Sequence, residues 1–164
     1  MPIVSLNSLT ESQITELRHF AVEYLLSWRG TPYRYGGDDF SGFDCSGIIH
    51  EVLQACGLEI RGFDCTADEL YRMHSTKKVF SLPPLGSLVF WFRNNIAEHV
   101  EMVTRVIHNY VFTTGASGGG KNTGFKKDEP EARKDAILHN AYVKTNEYLY
   151  RKQAFRIVDP FQGA

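Results

Sequence analysis

With 164 residues, 43% of them hydrophobic and 13% aromatic, the chain is long enough for one domain with a substantial core, which excludes a disordered or collagen-like class. Its 18 basic and 19 acidic residues leave a formal net charge of −1, so no long-range field draws nucleic acid or an anionic membrane towards it. Three cysteines, Cys45, Cys56 and Cys65, cannot all pair within one chain and form no C-x-x-C, which argues against a disulfide framework or a four-cysteine zinc site and for a free thiol.

The opening residues, Met1 to Asn7, carry neither a basic cluster nor a long apolar run. They suggest a chain made in the cytoplasm without a leader, and no segment reads as a membrane span. Ile14, Leu17, Ala21, Tyr24, Leu25 and Trp28 form one apolar stripe, predicting a helix over about residues 10–28. Ser8-Leu9-Thr10-Glu11 reads as its capping box, and Gly30 and Pro32 end it. From Gly30 to Gly42 the density of Gly, Pro and Asp predicts loop. Phe43-Asp44-Cys45-Ser46-Gly47 then opens a second helix, with Ile48, Ile49, Val52, Leu53 and Cys56 on its apolar face and Gly57 as its stop. Thr66-Ala67-Asp68-Glu69 is a capping box for a short third helix.

After Pro83-Pro84 the period changes. Leu88 to Phe92, His99 to Thr104, Tyr110 to Thr114, Ala141 to Lys144 and Ala154 to Val158 read as strands. Gly115 to Asp135 reads as a long exposed loop. Helices followed by strands predict an α+β fold: N-terminal helices packed on an antiparallel sheet of about five strands, one domain over residues 1–164.

Cys45 is the candidate nucleophile. The thiolate is the reactive form of cysteine, and a helix N-terminus or a neighbouring imidazolium favours it. The same unpaired N–H groups can hold a developing oxyanion. Asp44 is a natural cap, and Ser46-Gly47 keeps the first turn small. Cys56, on the apolar face, and Cys65, ahead of a capping box, read as inert. His99 opens the alternating strand and shares a face with Glu101 and Val103, so it can be aimed from a rigid sheet at the helix terminus as a base. His19, His50 and His74 on helices and His108 in a turn read as surface or packing residues, and His139 is a weaker alternative. The Cys and His spacings form no metal-ligand set, and no cofactor is expected. Gly115 to Lys121 matches G-x-x-x-x-G-K, but Asn122 stands where a phosphate-binding loop needs Ser or Thr.

Taken together, Trp28 to Gly37 with its Tyr33-Arg34-Tyr35-Gly36-Gly37, the element Phe43 to Ile49, Gly86 to Trp91, and His99-Val100 resemble the NlpC-type cell-wall peptidases of the papain-like (CHAP-related) cysteine peptidase superfamily. The resemblance covers about residues 20–120, and the tail looks like that of compact, phage-associated versions. It implies hydrolysis of an amide in peptidoglycan stem peptides, commonly the γ-D-glutamyl to diamino-acid bond, through a thioester. It makes Cys45 and His99 catalytic, places Tyr33 beside the oxyanion, and lines the subsite for the free amine with Asp44 and Ser46. Stem peptides are the implied partners, with phage tail proteins as a further set; the wall is the implied place of action. The family usually has a third polar residue on the strand after His99; here that strand offers only Thr113 and Thr114, and Gly115 falls at about the expected place, so the group that orients the imidazole stays open between a backbone carbonyl, a threonine hydroxyl and a residue of the long loop. That gap is the ground for a rival reading, a non-cleaving tail or wall-binding component. A second rival is an acyltransferase that resolves the same thioester with an amine.

Overall fold

The computed structural model describes residues 3–33, 38–39, 42–117 and 142–163. Helix α1 runs Glu11–Ser27. Its cap is Thr10, whose hydroxyl accepts from the Gln13 N–H while the Gln13 side chain accepts from the Thr10 N–H. The capping box expected at Ser8 and Glu11 is therefore displaced by two residues, because the Ser8 hydroxyl is already donated to the Ser5 carbonyl in a preceding 3₁₀ turn. Helix α2 spans Cys45–Ala55 and stops where Gly57 takes a φ of 75°. Helix α3 spans Ala67–His74 behind the Thr66–Glu69 capping box, as the sequence suggested.

A two-residue hairpin, β1 (Asp38–Asp39) and β2 (Gly42–Phe43), leads into α2. The main sheet follows: β3 (Leu88–Arg93), β4 (Ile96–Ile107), β5 (Tyr110–Ala116), β6 (Val143–Glu147) and β7 (Phe155–Val158). All neighbours are antiparallel, in the order β6-β5-β4-β3-β7. Strand β4 begins before His99 because Asn94 and Asn95, at φ 50° and 66°, turn the chain in two residues. The loop expected from Gly115 starts later, since Gly115 and Ala116 pair with Lys144 and Val143 in the sheet. The remainder of that expected loop, and most of the G-x-x-x-x-G-K match, lie outside the described residues.

The core has two parts. Val100 and Met102 of β4, with Leu88 and Phe90 of β3, pack against Leu25 of α1, Ile48, Ile49, Val52 and Leu53 of α2 and Leu70 of α3. On the other face of the pleat, Val89, Trp91, Val103 and Val111 form a smaller cluster. A half-buried ion pair ties the ends together: Arg18 of α1 donates to both carboxylate oxygens of Asp159, at 2.8 and 2.6 Å. Among the described residues no helix is long and apolar enough to cross a membrane.

Candidate active site

The local sequence around Cys45 sets it at the first position of α2. The Asp44 carboxylate accepts from the Gly47 N–H at 2.6 Å, and the Ser46 hydroxyl lies 3.4 Å from the same oxygen, so the side chains of 44 and 46 fold the first turn. Cys45 is then the first helical residue, with its N–H among those an α-helix cannot satisfy internally. Ser46 is buried, so it shapes the floor of the site rather than reaching out from it.

His99 comes from β4. The start of that strand is held by α3, where the Asp68 carboxylate accepts from the Ala97 N–H at 2.9 Å. The imidazole is 5% exposed, and the Cys45 thiol lies close enough to favour its charged form. Its Nε2 lies 2.6 Å from the Glu101 carboxylate, which leaves Nδ1 as the nitrogen for the sulfur. Trp91 stacks obliquely on the ring at 5.4 Å. Burial disfavours the imidazolium, but hydrogen bonds to Cys45 and Glu101, and their charges, outweigh it and raise the pKa to about 9. The structure thus brings together Cys45 and His99, the two residues that the sequence singles out as candidate nucleophile and base.

The group on the far side of the imidazole was missed. Glu101 is fully buried, and its carboxylate accepts from the Thr113 hydroxyl at 2.9 Å and from the Tyr150 hydroxyl at 2.5 Å as well as engaging His99. Burial alone would raise its pKa; the bonds to His99, Tyr150 and Thr113 hold it below the usual carboxylate value. Of the positions singled out on that strand, Thr113 reaches Glu101 rather than the imidazole, and Thr114 and Gly115 are placed otherwise. The Thr114 hydroxyl points to the opposite face and bonds to Thr104 and Thr145, at 2.8 and 2.7 Å. Gly115 has no side chain, and a Cβ built there would stand 2.5 Å from the Glu101 Cγ. The sequence signal for Glu101 was its place two residues after His99; its burial could not be read from that.

Tyr33 is buried in the main core and follows a bridge between Pro32 and Tyr142 that lays the loop after α1 against the sheet. Residues 34–37 and 40–41, including Tyr35, lie outside the described residues. His50 is buried in α2 and closes a structural knot: its ring sits 2.7 Å from the Glu59 carboxylate and 3.1 Å from the Cys65 carbonyl. Cys65 itself is not an activated thiol despite lying 3.5 Å from His50, because burial and nearby carboxylates push its pKa up to about 12. Cys56 is pushed as high by burial in the core. All three cysteines are free. Iodoacetamide at pH 7 is therefore expected to alkylate Cys45 at least tenfold faster than Cys56 or Cys65, since the thiolate is the attacking form; peptide mapping against time reads the three rates, and equal rates would count against an activated thiol.

Among the described residues no group of three or more His, Cys, Asp or Glu is arranged to hold a metal ion. A groove of about 610 Å³ opens elsewhere, between Phe80, Leu82, Tyr148 and Phe155, and contains no nucleophile and base.

The model of the NlpC/P60 family matches residues 30–151, well over half of the chain. The chain belongs to the NlpC/P60 family. Solved structures of the same fold include the NlpC/P60 domain of the peptidoglycan hydrolase SagA, with a TM-score of 0.57 at 23% identity over 87% of this chain and 97% of that one. Another is the peptidoglycan hydrolase RipB from Mycobacterium tuberculosis, with a TM-score of 0.67 at 16% identity over 96% of this chain and 71% of that one. NlpC1 from Trichomonas vaginalis gives a TM-score of 0.61 at 14% identity, covering 87% of this chain and 43% of that one. At these identities the likeness concerns the fold. In sequence, Protein P54 of Enterococcus faecium is 43% identical over 63 residues, which are 38% of this chain and 11% of that protein. The NlpC/P60 match begins at Gly30 and so takes in the loop, α2 and the whole His99 strand that build the site.

Proposed function

We propose that this NlpC/P60 protein is a cysteine peptidase of bacterial peptidoglycan stem peptides, cutting an amide of the γ-D-glutamyl to diamino-acid type through a thioester on Cys45. The observation that carries the reading is the Cys45 thiol at a helix N-terminus beside the buried His99 imidazole, whose far side is engaged by the Glu101 carboxylate at 2.6 Å. Two structures of the same fold, SagA and RipB, are peptidoglycan hydrolases.

In this reading the Cys45 sulfur attacks the carbonyl carbon and the carbonyl oxygen takes the negative charge. The Cys45 N–H faces that oxygen, with the Tyr33 hydroxyl as a second donor. Collapse breaks the C–N bond as the imidazolium of His99 gives its proton to the leaving amine. Neutral His99 then takes a proton from water, whose oxygen attacks the thioester and frees the Cys45 sulfur. Asp44 and Ser46, fixed in the helix cap, shape the subsite for the free amine of the stem peptide. The ground for a non-cleaving role was a missing partner for the imidazole; the Glu101 carboxylate 2.6 Å from Nε2 supports the cleaving reading instead.

The test is to incubate the protein with purified stem peptides and follow new free amines by mass spectrometry, with Cys45→Ala as the blank. Release of the diamino-acid fragment by the wild type alone supports the reading. Binding without release would favour a wall-gripping role, and a product containing an added amine would indicate acyl transfer.

A further inference from the structure

We propose that Glu101 is the positioning residue for His99, and that Gly115 on the neighbouring strand is the empty seat that admits its side chain. The inference rests on the reading of His99 as the base, and it assigns roles to two residues outside the nucleophile–base pair.

His99 and Glu101 are two residues apart on β4, so their side chains leave the same face of the sheet. The Glu101 side chain that meets Nε2 also passes close to the neighbouring strand β5. Gly115 is where it passes: an added Cβ would come within 2.5 Å of the Glu101 Cγ, 3.1 Å of its Cβ and 3.2 Å of the Val100 carbonyl oxygen. Two of those three atoms belong to Glu101 itself. The glycine does not serve a turn, since it pairs regularly with Lys144 in the middle of a ladder. Its missing side chain is a volume requirement of Glu101.

The carboxylate is then locked by donors on two other elements. Thr113 of β5 donates to Oε1 at 2.9 Å, and Tyr150, in a 3₁₀ turn after β6, donates to Oε2 at 2.5 Å. With both hydroxyls donated inward, the remaining capacity of Oε2 faces His99. The charged and titratable groups around the imidazole are therefore Cys45 from α2, Glu101 from β4 and Tyr150, whose hydroxyl is 3.4 Å from Nε2. Arg151 lies beyond Trp91, and Lys144 of β6 acts through Glu101. Among the described residues, only Glu101 bonds Nε2 with a carboxylate. It fixes the tautomer that turns Nδ1 to the sulfur and favours the imidazolium that the thiolate needs.

Glu101→Gln keeps the shape and removes the charge. Its expected signature is a kcat lower by about 10²-fold with KM nearly unchanged, and an alkaline limb of kcat/KM moved from about pH 9 towards neutrality. Gly115→Ala should reproduce the loss by displacing Glu101, whereas in a Glu101→Gly background the same added methyl should have little further effect. The cycle Gly115→Ala, Glu101→Gly and the double variant thus isolates the coupling between the two positions. Each protein is first checked for a cooperative melt, and the rate of Cys45 alkylation against pH serves as a second readout that needs no substrate. An unshifted alkaline limb in Glu101→Gln, or additive losses in the cycle, overturns the proposal while leaving a peptidase intact. A wild type that neither cleaves stem peptides nor shows preferential Cys45 alkylation instead overturns the peptidase reading on which it stands.

Discussion

Cys45→Ala is expected to leave no measurable cleavage of stem peptides, and His99→Ala to lower kcat/KM by about 10²–10⁴-fold, the range that a positioned acid–base group supplies. The losses should not add. Without the sulfur there is no thioester for the imidazole to resolve, so the double variant should be no worse than Cys45→Ala alone. The two single variants should part company in stability. Cys45→Ala leaves the His99–Glu101 pair intact, whereas His99→Ala strands a fully buried carboxylate and should cost about 3–5 kcal/mol. The pH dependence follows from the directions of the two shifts. The folded pKa of His99 is raised to about 9, so its share of stability is complete below the ordinary histidine value of 6.5 and lost as pH rises through about 9. That of Glu101 is lowered, so its share is present above the usual carboxylate range and lost on acidification. Urea titrations at pH 6 and pH 9.5 should show the wild type losing its advantage over His99→Ala at the higher pH. An equal gap at both would mean that no buried ion pair exists.

Much of this site was legible because its determinants are local. Asp44, Cys45, Ser46 and Gly47 announce a capped helix start with a small first turn, and the cap hydrogen bond from Gly47 to Asp44 is the one that such a sequence predicts. Helix α3 and its Thr66–Glu69 box are readable on the same grounds. Where two local signals competed, the choice failed: Ser8 and Thr10 each precede an acidic or amide residue by three, and only the use of the Ser8 hydroxyl in the Ser5 turn decides between them. The carboxylate behind the base was legible in part. Glu101 was visibly on the His99 face, but an alternating strand with a Glu is ordinarily half-solvated. Its burial depends on β5 register, which brings Thr113 and Gly115 alongside, and on Tyr150, forty-nine residues later in a turn with no distinguishing sequence. The pairing of one strand's long side chain with its neighbour's missing one is non-local, and no single-strand pattern carries it.

Two adjacent residues of β3 offer a way to separate the two faces of the sheet. Phe90→Ala is expected to give a stability loss of about 3–5 kcal/mol, the range for deleting a buried aromatic ring. Phe90 is fully buried in the main core and packs edge-to-face on Tyr71 of α3 at 5.4 Å, so no solvent or flexible side chain can fill the space it vacates. Its neighbour Trp91 points the other way, onto His99 at 5.4 Å and Tyr150 at 5.8 Å, in the smaller cluster. Trp91→Leu retains part of the buried volume and should cost only about 1–3 kcal/mol. Yet the first substitution should leave kcat per folded molecule nearly unchanged, because Phe90 lies on the face of the sheet opposite Trp91 and the His99 ring it packs on. The second should lower kcat at least tenfold, since the ring that keeps His99 against Glu101 is gone and the base can tilt away from the sulfur. Denaturant unfolding and active-site titration on the same samples give both numbers. If the larger loss of activity followed Phe90→Ala at matched folded fraction, the site would be governed by general rigidity of the sheet; the opposite ranking places the control in the single layer of side chains, Trp91, Glu101 and Tyr150, that surrounds the base.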